Sequence, residues 1–258
     1  MPGVNQGSGH QMDGDIERLL LSNDAVKFTG QTMKKAKGLI KDITPPVLYR
    51  WARSFSRDHD RPAREIEPCE RDSEYYDRTF ISHQHWLNHY TESPYYPLWT
   101  VIADRIVRRG LGSVLDIGCG PGQFASLLRD KGLSHYAGID FSPRRIAQAR
   151  NVCPEFAFTE ADVFETDLSG AANNCDAVVC CEFLEHVERD REVLEKISAG
   201  TWFFGTVPNF PDPAHVRHFS NAREVSDRYE HLFADFSVVT HLADLKGTEY
   251  FIMEGCRH

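Results

Sequence analysis

The 258-residue chain has no C-x-x-C pair, no apolar run of membrane-spanning length and no excess of basic charge. Each absence excludes something. Its seven cysteines are scattered, and the adjacent Cys180 and Cys181 sit inside an apolar run, a pattern that suits reduced, mostly buried thiols and a cytoplasmic compartment. No long apolar stretch is present, and the first thirty residues lack the apolar core of a signal peptide, so the chain reads as soluble. A formal charge of -9 and a pI near 5.7 argue against a broad surface for polyanions. A large nucleic-acid partner is therefore not expected, although a local basic strip stays compatible with these values. Apolar side chains are also scarce over residues 1–15, which are mostly glycine and polar groups. Burial there is too small to offset the entropy of ordering, and 1–30 is set apart as a tail without fixed structure.

Further along, Lys34, Lys35, Lys37, Lys41, Arg50, Arg53 and Arg57 are interleaved with Leu39, Ile40, Ile43, Val47, Leu48, Trp51 and Phe55. Pro45-Pro46 divides the stretch into two short amphipathic segments. They read first as helices packed with their basic side in water, and otherwise as a peripheral contact of 34–57 with an anionic membrane face or a lipid-linked substrate. Between 75 and 109 aromatic residues concentrate: Tyr75, Tyr76, Phe80, Trp86, Tyr90, Tyr95, Tyr96 and Trp99. Ser93-Pro94 and Pro97 mark a turn, after which Leu98, Ile102, Ile106 and Val107 recur at helical spacing. Residues 31–109 thus read as a helical N-terminal extension whose aromatic part serves as a lid.

From 110 to 258 the pattern is that of one α/β domain. Strands are expected at 114–117, 135–139, 155–159, 177–180 and 201–207, and helices at 123–131, 143–151 and 190–198, which implies a mainly parallel sheet covered on both faces. A hairpin of 237–241 with 250–253 is expected at the end. The first strand runs into Asp116-Ile117-Gly118-Cys119-Gly120-Pro121-Gly122 and then a helix, and the second strand closes on Asp140. Glycines at a strand-to-helix turn let main chain approach a ligand, and an acid at the neighbouring strand tip can accept from a ribose diol. The G-x-G-x-x-G spacing of dinucleotide-binding turns is not met.

This D-x-G-x-G-x-G run, followed by Gly138-Ile139-Asp140-Phe141-Ser142, resembles motifs I and II of the class I S-adenosylmethionine (SAM)-dependent methyltransferases, from about Leu111 to the C-terminus. The resemblance implies a Rossmann-like fold, a mainly parallel seven-stranded sheet with a C-terminal antiparallel strand, and SAM as cofactor. It implies that Gly118, Gly120 and Gly122 pass the methionine part, Asp140 takes the ribose diol, Phe141 flanks the adenine and Asp162 accepts from its amino group. Asp116, Cys119, Val163 and Glu182 complete the implied cofactor-binding set.

Residues just beyond the strands' carboxyl ends carry most chemical weight in such sheets. Glu182-Phe183-Leu184-Glu185-His186 follows the fourth strand, and its spacing is expected to bring Glu182, Glu185 and His186 together on one helical turn. Pro213-Ala214-His215-Val216-Arg217-His218 follows the fifth. His186 and His215 are the candidate catalytic bases. The E-x-x-E-H run with a downstream histidine resembles ubiquinone-pathway O-methyltransferases and small-RNA 3'-terminal 2'-O-methyltransferases. In the latter, both acids and both histidines bind a metal. Glu182, Glu185, His186 and His215, with His218 as substitute for His215, are the matching candidates for Mg²⁺, Mn²⁺ or Zn²⁺.

The function expected is O-methylation of a small polar acceptor at a hydroxyl or a phosphate-type oxygen, the acceptor being a sugar or glycan precursor; some methyltransferases of bacterial surface-glycan clusters carry similar Lys/Arg-rich segments before the catalytic domain. A phenolic acceptor of a quinone-type pathway, an N-methyltransferase, an RNA 2'-O-methyltransferase and a SAM-binding module without turnover remain the alternatives.

Overall fold

The computed structural model describes residues 68–166, 168 and 175–258. The tail at 1–30 and the basic segments at 34–57 lie outside the described residues. Residues Glu65–His258 fall in one compact unit. Its frame is a seven-stranded sheet in the order β3-β2-β1-β4-β5-β7-β6. The strands are β1 (Ser113–Ile117), β2 (His135–Asp140), β3 (Ala157–Glu160), β4 (Ala177–Cys181), β5 (Trp202–Pro208), β6 (Phe233–Leu242) and β7 (Glu249–Arg257). Strands β1 to β5 pair in parallel, whereas β7 runs antiparallel to both β5 and β6. The expected hairpin is present and longer at both ends, because β6 and β7 pair from Phe233–Arg257 to Leu242–Glu249 around a bulge between Ala234 and Ser237. This is the Rossmann-like class I methyltransferase fold that the glycine motif implied.

Strand order reverses between β1 and β4, and the carboxyl ends of these two strands open the crevice in which ligands of such sheets bind. Alternate side chains divide between two cores. Val114, Phe204 and Ile252 join Ile102, Phe124 and Ile146 on one face, while Leu115, Phe203 and Phe251 join Leu194 and Tyr229 on the other. A parallel sheet covered on both faces is why β4 reads as the unbroken apolar run Ala177–Cys181.

Helix α1 (Ser73–Ser82) starts at Asp72, whose carboxylate accepts from the Tyr75 amide. Helix α2 (Tyr96–Arg108) places Leu98, Ile102 and Ile106 in the core. Val107, included in the apolar spacing of that helix, is exposed, since one residue of helix turns the side chain about 100° away from its neighbour. Helix α3 (Gln123–Asp130) follows the glycine turn, and α4 (Pro143–Val152) is capped by Ser142. Helices α5 (Asp190–Glu195) and α6 (Ala222–Tyr229) complete the layers. The 73–108 segment is tied to the sheet: Ser142 Oγ donates to Asp77 at 2.6 Å, and Gln123 Nε2 donates to the carbonyls of His85 and Asn88 at 3.0 and 2.8 Å. Cys119, Cys153 and Cys180 are buried free thiols and Cys69 an exposed one. No helix among the described residues is long and apolar enough to cross a membrane.

One polar group sits deep in the second core. Asp190 is buried and accepts from Arg228 twice at 2.7 Å and from Tyr229 Oη at 2.6 Å. Burial alone would raise its carboxyl, but the hydrogen bonds from Arg228 and Tyr229 outweigh it and hold the carboxyl below the usual value. The folded state is therefore favoured above the ordinary aspartate pKa, and that gain is lost as pH falls through the depressed one. Asp190→Ala leaves the charge of Arg228 without its partner and is expected to cost about 2–3 kcal/mol. Urea unfolding of both proteins at pH 7 and pH 3 checks this: the gap narrows at the lower pH, and an equal gap at both would contradict it.

Candidate active site

The glycine turn is built by three left-handed residues, Gly118, Gly120 and Gly122, at φ 78°, 54° and 84°, a region that side-chain-bearing residues rarely enter. Space adds a second constraint at two of them. A Cβ on Gly118 would stand 2.6 Å from the Phe183 ring, and one on Gly122 would stand 2.9 Å from Ala149 Cα. At Gly120 nothing lies within 4 Å of that position, so a side chain there would project into open space beside the turn. The turn is pinned to the second strand: the amides of Gly118 and Cys119 donate to the Ile139 carbonyl at 2.8 and 3.1 Å.

Asp140 is buried, and its two carboxylate oxygens accept from the amides of Gly120 at 3.0 Å and Ser142 at 2.8 Å. Burial raises its carboxyl, with the charge of Arg145 and these two amides opposing. Asp116 accepts from Tyr136 Oη at 2.6 Å, yet burial still pushes it up to about 7. A cavity opens here, lined by Gly118, Asp140, Phe141, Asp162, Val163 and His186 among others. A second lies across the turn against Asp116, Gly120, Tyr95, Trp99 and Glu182. All ten residues of the cofactor-binding set except Gly122, which packs on α4 instead, line one or both cavities.

The E-x-x-E-H run does not form the expected turn. Only Leu184–His186 is helical, as one 3₁₀ turn, and Glu182 lies outside it at φ 51°. Its amide donates to Thr206 Oγ1 at 3.0 Å, and its Oε1 accepts from that hydroxyl at 2.9 Å. Thr206 stands beside Cys181 in the register of β4 and β5, so the neighbouring strand draws this carboxylate away from the histidines. Burial raises it to about 8.

Glu185, His186 and His215 do converge, with one ligand atom from each lying within 4.8 Å of the others. Glu185 is fully buried, and neither carboxylate oxygen has a hydrogen-bond partner among the described residues. Burial, and then the charge of Glu182, drive its carboxyl well above the usual range. His186 Nδ1 lies 2.9 Å from the Ala214 carbonyl and His215 Nδ1 lies 3.1 Å from that of Phe210. A carbonyl only accepts, so both Nδ1 atoms carry the proton and both Nε2 atoms present a lone pair. Burial, and then His215, push His186 down to about 4; burial also lowers His215. Both rings are thus neutral near pH 7. His218 is exposed and stands outside the cluster.

Arg217 locks the two loops together. It donates to the carbonyls of Leu184 at 2.5 Å, of Glu188 at 3.0 Å, and of Val187, and the Val216 amide donates to the Glu185 carbonyl at 2.8 Å. This clamp, together with Arg145 and Tyr250 near the site, escaped the sequence reading. Tyr76 and Tyr95 stood in the aromatic stretch, but nothing in the chain marks which of those rings face the cavities. Tyr95, Tyr250, Phe210 and His215 form a continuous series of ring contacts 5.7–6.0 Å apart.

Residues 114–200 match a family model described as a methyltransferase domain. The trans-aconitate 2-methyltransferase of Escherichia fergusonii is 30% identical over 115 residues, 43% of this chain and 46% of that one. The enzyme of the same name from Shigella dysenteriae serotype 1 is 36% identical over 129 residues, 48% of this chain and 51% of that one. The chain spans about half the length of these curated relatives. Among solved structures, the N-methyltransferase NodS from Bradyrhizobium japonicum with S-adenosyl-L-homocysteine gives a TM-score of 0.56 at 14% identity, covering 72% of this chain and 99% of that one. Magnesium protoporphyrin IX methyltransferase from Synechocystis with bound SAM gives 0.52 at 15%, covering 73% and 98%.

Proposed function

We propose that this chain is a class I SAM-dependent methyltransferase that transfers a methyl group to a hydroxyl oxygen of a small polar acceptor, a sugar or glycan precursor, in the cytoplasm; the methyltransferase-domain match over 114–200 supports this reading. The residues fit the cofactor: open space lies beside the left-handed Gly120, and Asp140 is held at the tip of β2 by two amides. When bound, SAM supplies a methyl group made electrophilic by its sulfonium. Displacement at that carbon needs alignment of the nucleophile and, for a hydroxyl, removal of its proton.

The observation that carries an oxygen acceptor is the pair of neutral histidines beside the cavity, each with Nδ1 held by a carbonyl and Nε2 free. His186 Nε2 takes the hydroxyl proton in this reading, with Glu185 Oε1 3.9 Å from it. Tyr95, on the wall of the second cavity, offers a ring face to a sugar or phenol, with Tyr250 in contact with it and Phe210 in contact with Tyr250.

The same group also suits a divalent metal. A buried carboxylate with both oxygens unpartnered, next to two imidazoles whose tautomers are set from behind, is a fitting donor set for Mn²⁺, Mg²⁺ or Zn²⁺. Glu185, His186 and His215 would hold it, and Glu182 would join only by leaving Thr206. A bound ion would orient the acceptor oxygen and lower its pKa.

A second reading is a carboxylate acceptor, favoured by the relatives named for trans-aconitate. A carboxylate needs no base, and that separates the two readings. A radioactive methyl-transfer screen over sugars, phenols and tricarboxylates, run with and without a chelator, tests both. Turnover of a hydroxyl acceptor is expected; slowing of at least tenfold by a chelator with recovery on Mn²⁺ would put an ion, in place of a proton, on His186 Nε2. Transfer confined to carboxylates would overturn the hydroxyl reading, and indifference to chelator would remove the metal.

A further inference from the structure

Arg145, on the first turn of α4, lines both cavities; Gly118 and Glu182 are the other residues common to them. Its guanidinium lies 4.9 Å from the centroid of the Tyr76 ring and 5.1 Å from that of Trp86. Its Nε is buried without a hydrogen-bond partner, and it forms no ion pair among the described residues. Two other arginines commit theirs: Arg228 to Asp190 and Arg71, at the first cavity, to the Pro213 carbonyl. Asp140 feels the charge of Arg145, but its oxygens face the amides of Gly120 and Ser142.

Among the described residues lining the second cavity Arg145 is the one cation, and Asp116 and Glu182 are the acids. Such walls suit the sulfonium and ammonium of SAM. The carboxylate of its methionine part gains from a cation close to the glycine turn, and Arg145 stands there. A guanidinium between two rings is partly shielded from water while the planar fork stays oriented, and that fork matches a carboxylate.

We propose that Arg145 receives the carboxylate of the cofactor's methionine moiety and is thereby the residue that selects SAM over nucleosides lacking that group. The inference rests on the reading of the cavities as a SAM site. It is tested by calorimetry with two ligands, S-adenosylhomocysteine and 5'-(3-aminopropylthio)-5'-deoxyadenosine, which keeps the adenosine, thioether and amine but has no carboxylate. Arg145→Gln is expected to weaken the first on the order of 10- to 100-fold and the second less than about threefold. Arg145→Lys, which keeps the charge without the fork, falls between and guards against a folding defect in the glutamine variant. Equal loss for both ligands would show that the arginine acts through Asp140 or the fold, and no loss for either would leave it without a role; both results overturn the assignment. If the unaltered protein binds neither ligand, the SAM site itself is refuted and the assignment falls with it.

Discussion

Asp140→Ala is expected to raise the dissociation constant for S-adenosylhomocysteine by roughly 10³-fold, because the side chain has two tasks that alanine cannot perform. It is buried at the tip of β2, and its oxygens hold the amides of Gly120 and Ser142 at 3.0 and 2.8 Å. Truncation leaves both amides without their acceptor and frees the glycine turn to drift from the shape its left-handed residues impose. In the proposed site it also removes the carboxylate lone pairs that would meet the ribose diol. Hydrogen bonds to a charged group contribute about 1.5–3 kcal/mol each, so losing two of them spans roughly 10²- to 10⁴-fold. Asp140→Asn keeps the volume but points an amide donor at one of the two backbone donors, and a weakening of about tenfold or more is expected from that mismatch. Titration calorimetry, with thermal melting as a check on folding, reads both variants. An alanine variant that binds within threefold of the original would remove Asp140 from the cofactor site.

His186→Gln has its effect on the chemical step and leaves cofactor affinity nearly unchanged. General bases contribute typically 10²- to 10⁴-fold, so kcat is expected to fall by about 10³-fold while S-adenosylhomocysteine binding stays within about twofold. With its pKa pushed down to about 4, His186 is deprotonated across the neutral range. The base form is lost only as pH falls through that value, so kcat/KM of the unaltered enzyme owes no change between pH 6 and 8 to this ring. His215→Gln, altering the ring whose centroid lies 4.8 Å from that of His186, is expected to cost less if proton removal dominates and as much if both rings hold an ion. A kcat unchanged by His186→Gln would favour a nucleophile that carries no proton, as in the carboxylate reading. Loss of cofactor binding alongside kcat would instead make the residue structural.

The glycine turn and the strands around it were legible because their causes are local. A backbone at positive φ selects glycine, and doubly covered strands select uninterrupted apolar side chains, so Gly118, Gly120 and Gly122 and the runs in β1, β4 and β5 announce themselves in neighbouring letters. The same local reasoning misplaced Glu182, where an i, i+3 spacing suggested a shared helical turn. Its carboxylate went to Thr206, a residue brought beside Cys181 by strand pairing. The choice between His215 and His218 was likewise open in the chain and depends on how Arg217 and the Val216 amide tie one loop to the other.

By itself, then, the order of residues determined the fold class, the strand-to-helix glycine turn and the acid at 140, since each follows from backbone sterics and from burial repeated at short range. Only the tertiary structure decided which carboxylate meets which histidine, that Glu185 is left buried with no partner, and that Arg145 stands between two rings at the junction of the cavities. Those outcomes hang on register and loop packing between segments tens of residues apart, where side-chain geometry in three dimensions, and no periodicity along the chain, selects the contact.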